Sequence, residues 1–329
     1  MPALGVFGPP YPLWARDFAL NDLGVDGVWV SHSLISDELI RRCREEGAKV
    51  YAEMGIMSGA SPADYRAHPE VQPIGTNGRP LPEVPGYTAF ACPLARWWRE
   101  RRLAQTERLL GEHELDGLWL DFIRYPGRWE RSQPTLDQGC FCDESLTQFE
   151  EFADLTIPGH ATAQRAAWIL DEALDPWAAW KCSVVAEFVG QIKALMQEVK
   201  PQVVLGMFSV PWGPEDFDNA IQRVIGQDFA RLAQHIDVFS PMLYHTMCGR
   251  PVEWIAEHTR YLAQVTTKPV IPIVQAIDEP TLMPRGEFRR ALWQGLAEPS
   301  AGMMMFRLED VVGDEEKFAA LQEIYRGTR

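Results

Sequence analysis

The chain alternates between short apolar runs and longer stretches whose apolar positions recur every three or four residues. The runs span residues 3–7, 27–31, 49–53, 117–122, 203–208, 238–242, 270–274 and 302–306. Most are rich in Val, Ile, Leu, Met and aromatics, as strands buried on both faces must be. Helical patterns fill the intervals, at 36–46, 94–110, 184–199, 228–235, 252–265 and 287–296. Ser36 with Asp37 and Glu38 makes a good helix start, and Gly47 a good stop. Such alternation implies parallel strands joined by crossover helices, and eight repeats predict closure into a (β/α)8 (TIM) barrel. An open doubly wound sheet would usually carry a glycine-rich turn after its first strand. Here that turn is Gly8-Pro9-Pro10-Tyr11-Pro12, whose prolines suit neither a dinucleotide nor a P-loop cradle.

Two connections are oversized, 55–93 after the third strand and 126–180 after the fourth. Both follow a strand, so both belong to the C-terminal face of the barrel, where active sites lie. The second has helical patterns of its own at 143–154 and 161–174. Nothing reads as a linker, so one barrel domain over 1–329 is expected.

Composition narrows the function. Of 329 residues 46% are hydrophobic and 23% charged, normal for a soluble α/β protein with a full core. The net charge of -15, with no basic patch, argues against nucleic acid or an anionic membrane surface as partner. No apolar run approaches the roughly 20 residues of a bilayer span. The start Met-Pro-Ala-Leu-Gly-Val-Phe lacks the regions of a secretory signal, so a cytoplasmic location is the expectation. Six cysteines, scattered at 43, 92, 140, 142, 182 and 248, form no disulfide framework and agree with a reducing compartment. No lysine stands near a strand's C-terminal end and the last βα turns carry no glycine-rich loop. Schiff-base and phosphate-dependent barrel chemistries are therefore disfavoured, and no cofactor is expected.

The chemistry concentrates on one segment, Asp116-Gly117-Leu118-Trp119-Leu120-Asp121-Phe122-Ile123-Arg124-Tyr125-Pro126. Alternation puts Gly117, Trp119, Asp121 and Ile123 on one face and the apolar Leu118, Leu120 and Phe122 on the other. The second face packs on helices, so the first lines the barrel and Asp121 is an inward carboxylate at the strand's C-terminal end. Burying such a charge is costly without a partner or a function. Arg124 is one partner the sequence offers, and an ion pair between the two is the structural alternative to catalysis.

This segment resembles the fourth-strand signature Asp-Gly-x-x-x-Asp-x-x-Arg-Tyr-Pro of hypothetical glycoside-hydrolase-like (β/α)8 barrels. More distantly it is similar to the fourth strand of chitinase-type (family 18) barrels. His68-Pro69-Glu70, Asn77-Gly78-Arg79-Pro80 and Cys92-Pro93 resemble the third-loop pattern of the former, and Cys140-Phe141-Cys142 their Cys-x-Cys-x-x-Cys segment. Ile236–Tyr244 and Ala301–Phe306 are similar to chitinase-type strands six and eight. The resemblance implies a barrel acting on an oligosaccharide or glycoconjugate, with Asp121 as a catalytic carboxylate. Ile123 stands where chitinase-type enzymes carry their acid, so their substrate-assisted mechanism is not implied. In some galactosidase barrels a similar cysteine segment holds a structural zinc. Here Ser145 replaces the third cysteine and Cys92, Cys140 and Cys142 fall one thiolate short. The expectation is buried unpaired thiols and no metal.

Glycoside hydrolysis normally needs a second carboxyl group. Glu53, ending the strand beside the fourth, is the favoured partner. Glu309, Asp278 and Glu215 also follow strands but read equally as helix starts or loop residues. His32, Arg124, Tyr125, Trp212, Tyr244, His245, Gln275 and Arg307 are candidate sugar-binding groups around the barrel mouth, with Trp212 the expected aromatic platform and Trp129 another aromatic close to a strand end. A barrel that binds carbohydrate without cleaving it is the alternative reading.

Overall fold

A computed structural model gives the chain's structure and describes residues 3–82 and 87–328. Residues 83–86 of the loop after the third strand and the terminal residues 1, 2 and 329, all included in the expected domain, lie outside the described residues.

Eight strands form where apolar runs stand: β1 (Ala3–Phe7), β2 (Gly27–Ser31), β3 (Lys49–Gly55), β4 (Gly117–Asp121), β5 (Val204–Ser209), β6 (Val238–Leu243), β7 (Ile273–Gln275) and β8 (Gly302–Phe306). They pair in parallel in chain order, and β8 returns to β1 with Ala3 opposite Gly302 and Phe7 opposite Phe306, closing a (β/α)8 barrel. β7 is shorter than its apolar run. Pro272 has no N–H to donate, and Val270 joins β6 only through an isolated bridge to Phe239.

Helices cover the barrel's outside. Asp37–Glu45 starts as its sequence predicts, the Ser36 hydroxyl accepting from the Leu39 N–H at 3.2 Å. The helix Leu174–Val199 begins ten residues before the 184–199 pattern. Its first turns carry Trp177 and Trp180, which pack on Phe141 and Phe149 and seat the helix Asp143–Ala153 of the fourth-strand loop. The expected helix at 228–235 shrinks to Phe229–Leu232, capped by Asp228.

The barrel interior is filled by three rings. Trp29 stacks on Tyr51 at 4.3 Å, and Trp119 meets both edge-on at 5.3 and 4.9 Å. Trp119 Nε1 donates to the Ser240 hydroxyl at 3.0 Å. The rings fit because the facing strands carry glycine. A β-carbon on Gly5 would lie 2.2 Å from the Trp29 ring, and one on Gly206 2.1 Å from that of Trp119. Such separations are well inside van der Waals contact, so bulk here must displace an indole or a strand. Gly206→Ala is therefore expected to destabilise the protein by about 1–3 kcal/mol, read as a lowered urea midpoint at unchanged slope. An unchanged midpoint would mean that the rings repack freely.

Candidate functional site

Two residues beyond each ring, on the same inward face, stand Ser31, Glu53 and Asp121. Register places Ser31 opposite Glu53 and Gly55 opposite Asp121, so the two carboxylates share the C-terminal mouth on adjacent strands. Below them lies the aromatic layer. Burial raises Glu53 to about 8, the Asp121 charge adding to the rise and the Ser31 hydroxyl and Arg102 opposing it. Burial likewise raises Asp121 to about 6, against the Phe122 N–H, which it accepts at 2.6 Å, and the charge of Arg124.

Asp121 ends β4, and the chain turns sharply after it. Phe122 takes the left-handed conformation, φ 49°, and its carbonyl accepts from the Met57 and Arg124 N–H groups. The strand alternation stops there, which corrects two sequence expectations. Phe122 lines the cleft instead of packing on helices, and Ile123 is buried outside it, its carbonyl accepting from Gln227.

Above Asp121 opens a cleft of about 290 Å³. One wall is aromatic: Trp129 stacks on Tyr244 at 5.6 Å, and Tyr244 on Phe306 at 5.0 Å. The other is polar. The Tyr87 hydroxyl donates to the Glu130 carboxylate at 2.8 Å and accepts from Arg124 Nη2 at 3.0 Å. Arg124 Nη1 donates to the Gly127 carbonyl at 2.7 Å, and its guanidinium lies 5.0 Å from both the Phe90 and Phe122 rings. Arg124 thus braces the loop, and among the described residues it forms no ion pair with Asp121.

Of the residues singled out in the sequence, the cleft gathers Asp121, Arg124, Trp129 and Tyr244, with Glu53 in electrostatic contact with Asp121. The rest do not line it. His32 stands beside Glu53, whose backbone it hydrogen-bonds, and burial, with the charge of Arg102, holds its pKa below the ordinary value. Tyr125 is fully buried, its ring under the Lys181 ammonium at 4.4 Å. Trp212, the expected platform, is buried against Phe217, and Trp129 takes that place in the cleft. His245 reaches Glu287 at 3.2 Å, and Gln275 is buried, holding the carbonyls of Ile277 and Glu279. Arg307 pairs with Glu309 and Asp310. Asp278 is tied to Lys317 at 2.8 Å, away from the cleft. Sequence reasoning missed Tyr87, Arg128 and Glu130. They sit on irregular loops, where no periodicity marks the inward side; the only signal was the unusual length of the two loops.

The cysteines at 92, 140 and 142, distant in sequence, meet where the two long loops pack, with all three sulfurs within 4.8 Å of one another. The Phe141 N–H donates to the Ile74 carbonyl at 2.8 Å, and Gly75 bridges Gly139. Cys92 and Cys142 Sγ lie 3.9 Å apart, close to the roughly 3.8 Å edge of a tetrahedron with zinc–sulfur bonds of about 2.3 Å. The trio fits three corners of a zinc site. The Ser145 hydroxyl lies 3.2 Å from Cys142 Sγ, so the chain has an oxygen at the sequence position where the resemblance has a thiolate.

These features define a (β/α)8 barrel whose acidic centre lies at the C-terminal ends of β3 and β4. Solved structures share that fold. The glycoside hydrolase domain of PgaB (BpsB) from Bordetella bronchiseptica superposes with a TM-score of 0.74 at 14% identity, each chain covering 99% of the other. The β-galactosidase of the psychrophilic Marinomonas ef1 matches at 0.71 and 12% identity over 99% of this chain and 59% of its own. The α-L-fucosidase isoenzyme 2 of Paenibacillus thiaminolyticus matches at 0.63 and 13% identity, over 100% of this chain and 49% of its own. The chain thus spans about half to three fifths of those two glycosidases. No protein-family model and no curated protein sequence matches it.

The raised Glu53 has a consequence for stability. Its carboxyl binds the proton more tightly folded, at about 8, than at its ordinary value of 4.5. Its contribution is therefore fully present below about pH 4.5 and is lost as the pH rises through 8. Glu53→Gln should flatten this loss, raising the urea midpoint relative to wild type more at pH 8.5 than at pH 5. Parallel pH profiles for the two proteins would contradict the burial of that charge.

Proposed function

We propose that the protein is a glycoside hydrolase acting on an oligosaccharide or glycoconjugate, with Asp121 as its carboxylate nucleophile or base and Glu53 as its proton donor. The observation that carries this is the pair of electrostatically coupled carboxylates, both raised by burial, at the mouth of the barrel beneath an aromatic-walled cleft. A carboxyl poised near 8 is protonated at neutral pH and can donate to the glycosidic oxygen as the C–O bond breaks. Asp121, ionised above about 6, then serves the anomeric carbon directly or through water, depending on the carboxyl separation during reaction. Trp129 and Tyr244 offer flat faces to a sugar ring. The glycosidases among the structural neighbours support the same reading. We also propose that the chain is a single barrel domain working in a reducing compartment. Among its described residues no helix is long and apolar enough to cross a membrane.

Kinetics on a panel of aryl glycosides test the assignment. Asp121→Asn should lower kcat by about 10²–10⁴ on all substrates. Glu53→Gln should cost as much on poor leaving groups and little on activated ones, which need no proton. If Glu130→Gln shows that dependence instead, the donor is Glu130. Wild type that binds sugars but cleaves none would make the barrel a binding protein.

The pH profile provides an independent check. The kcat/KM curve should be bell-shaped, rising near pH 6 as Asp121 ionises and falling near 8 as Glu53 loses its proton. Glu53→Gln should retain the acid limb and lose the alkaline one; an alkaline limb that survives in that variant belongs to another group.

A further inference from the structure

Beside the Asp121 cleft opens a second, narrower cavity, and the two share Tyr87 and Arg128 as a common wall. Tyr87 is held by Glu130 and Arg124. The Arg128 guanidinium lies over its ring, 5.5 Å from the centroid. The backbone beneath is fixed too, the Arg128 carbonyl accepting from the Thr135 N–H at 2.8 Å.

What sets Arg128 apart is what it does not touch. Among the described residues its guanidinium has the Tyr87 ring as its contact and forms no ion pair and no side-chain hydrogen bond. Arg124, four residues earlier, has the Gly127 carbonyl and the Tyr87 hydroxyl as acceptors. A guanidinium carries five N–H donors and no acceptor, and a half-buried one gives up hydration that a ring face only partly replaces. Its planar fork matches a carboxylate or a similar oxyanion in two parallel hydrogen bonds. Arg131, in the same loop, also has no ion pair among the described residues but is exposed, whereas Arg128 is half-buried between the two cavities. The second cavity pairs apolar Leu81 and Phe90 with Gln72 and Thr88, a mixture suited to the two faces of a sugar ring. Its one described carboxylate, Asp137, would repel an anionic group, so that group must lie on the Arg128 side.

We propose that the second cavity is a subsite for the sugar unit next to the one at Asp121, and that Arg128 selects a unit bearing an anionic substituent, a carboxylate or a sulfate ester. This rests on the glycoside hydrolase reading for its class of ligand, but the binding step requires no turnover.

Isothermal titration of Asp121→Asn protein with matched tetrasaccharides tests it, in a uronate-bearing, a sulfated and a neutral series. At least one anionic series should bind about ten-fold or more tightly than the neutral one, the scale of a charge-assisted hydrogen-bonded pair. Whichever series gains identifies the substituent. Adding Arg128→Gln should reduce that preference to about two-fold or less, while Arg128→Lys should keep part of it. The melting temperature of each variant checks that the fold persists. Equal affinity for anionic and neutral series, a preference that survives Arg128→Gln, or no oligosaccharide binding at all would overturn the proposal. Arg128-dependent binding with no hydrolysis by wild type would leave the subsite standing and remove the hydrolase. Hydrolysis without any anionic preference would do the reverse.

Discussion

The packing of Trp29, Tyr51 and Trp119 inside the barrel is the constraint on which the rest of the site depends. Three large rings can share that space only because Gly5, Gly27, Gly117 and Gly206 give up their side chains around them. Strand geometry then sets the layer above the rings, since the next inward residue is two positions on. From Trp29 that residue is Ser31, from Tyr51 Glu53, and from Trp119 Asp121. The carboxylates therefore stand directly above the aromatic layer. Burial raises both pKa values, and for Glu53 the Asp121 charge adds to the rise.

The loops complete the chemistry from above. β4 ends at Asp121 because Phe122 turns into the left-handed region, and that turn sends the chain over the barrel mouth. The segment after it places Arg124, Arg128, Trp129 and Glu130 around one cleft within seven residues. Arg124 is the brace of this arrangement: its contacts to Gly127 and Tyr87 link the fourth-strand loop to the third. The cysteine cluster joins the same two loops farther out. Two independent ties between these loops mean that the cleft walls are held by the loops' mutual packing as well as by the barrel.

The strands were legible in the sequence because buried parallel strands leave continuous apolar runs, and Asp121 was legible because a charge on the inward face of such a run has few explanations. The pairing with Glu53 followed from strand order alone. What stayed hidden depends on backbone direction at strand ends. Gln275 and His245 follow strands into the mouth region, yet Gln275 turns to two loop carbonyls and His245 to Glu287. A polar residue at a strand end can serve a ligand or the first turn of its own loop, and composition does not separate the two. Trp212 was misplaced for the same reason, whereas Trp129 reaches the cleft through a loop whose course no periodicity encodes.

The departure at Ile123 takes its meaning from this geometry. In a strand that continued past Asp121, position 123 would point inward beside the carboxylate and an acid there could protonate a substrate. Here the strand has already ended, and Ile123 is buried outside the cleft, behind the turn. An acid at 123 would be an unpaired charge in the core, so an apolar residue is what the local backbone requires. On the proposed hydrolase reading, a proton donor to work with Asp121 must then come from a neighbouring strand or from the loop overhead. Glu53 and Glu130 occupy those two positions, one above the aromatic layer and one beside the Tyr87 hydroxyl. Burial and the Asp121 charge raise the Glu53 carboxyl, and on the proposed reading this favours Glu53 as the donor.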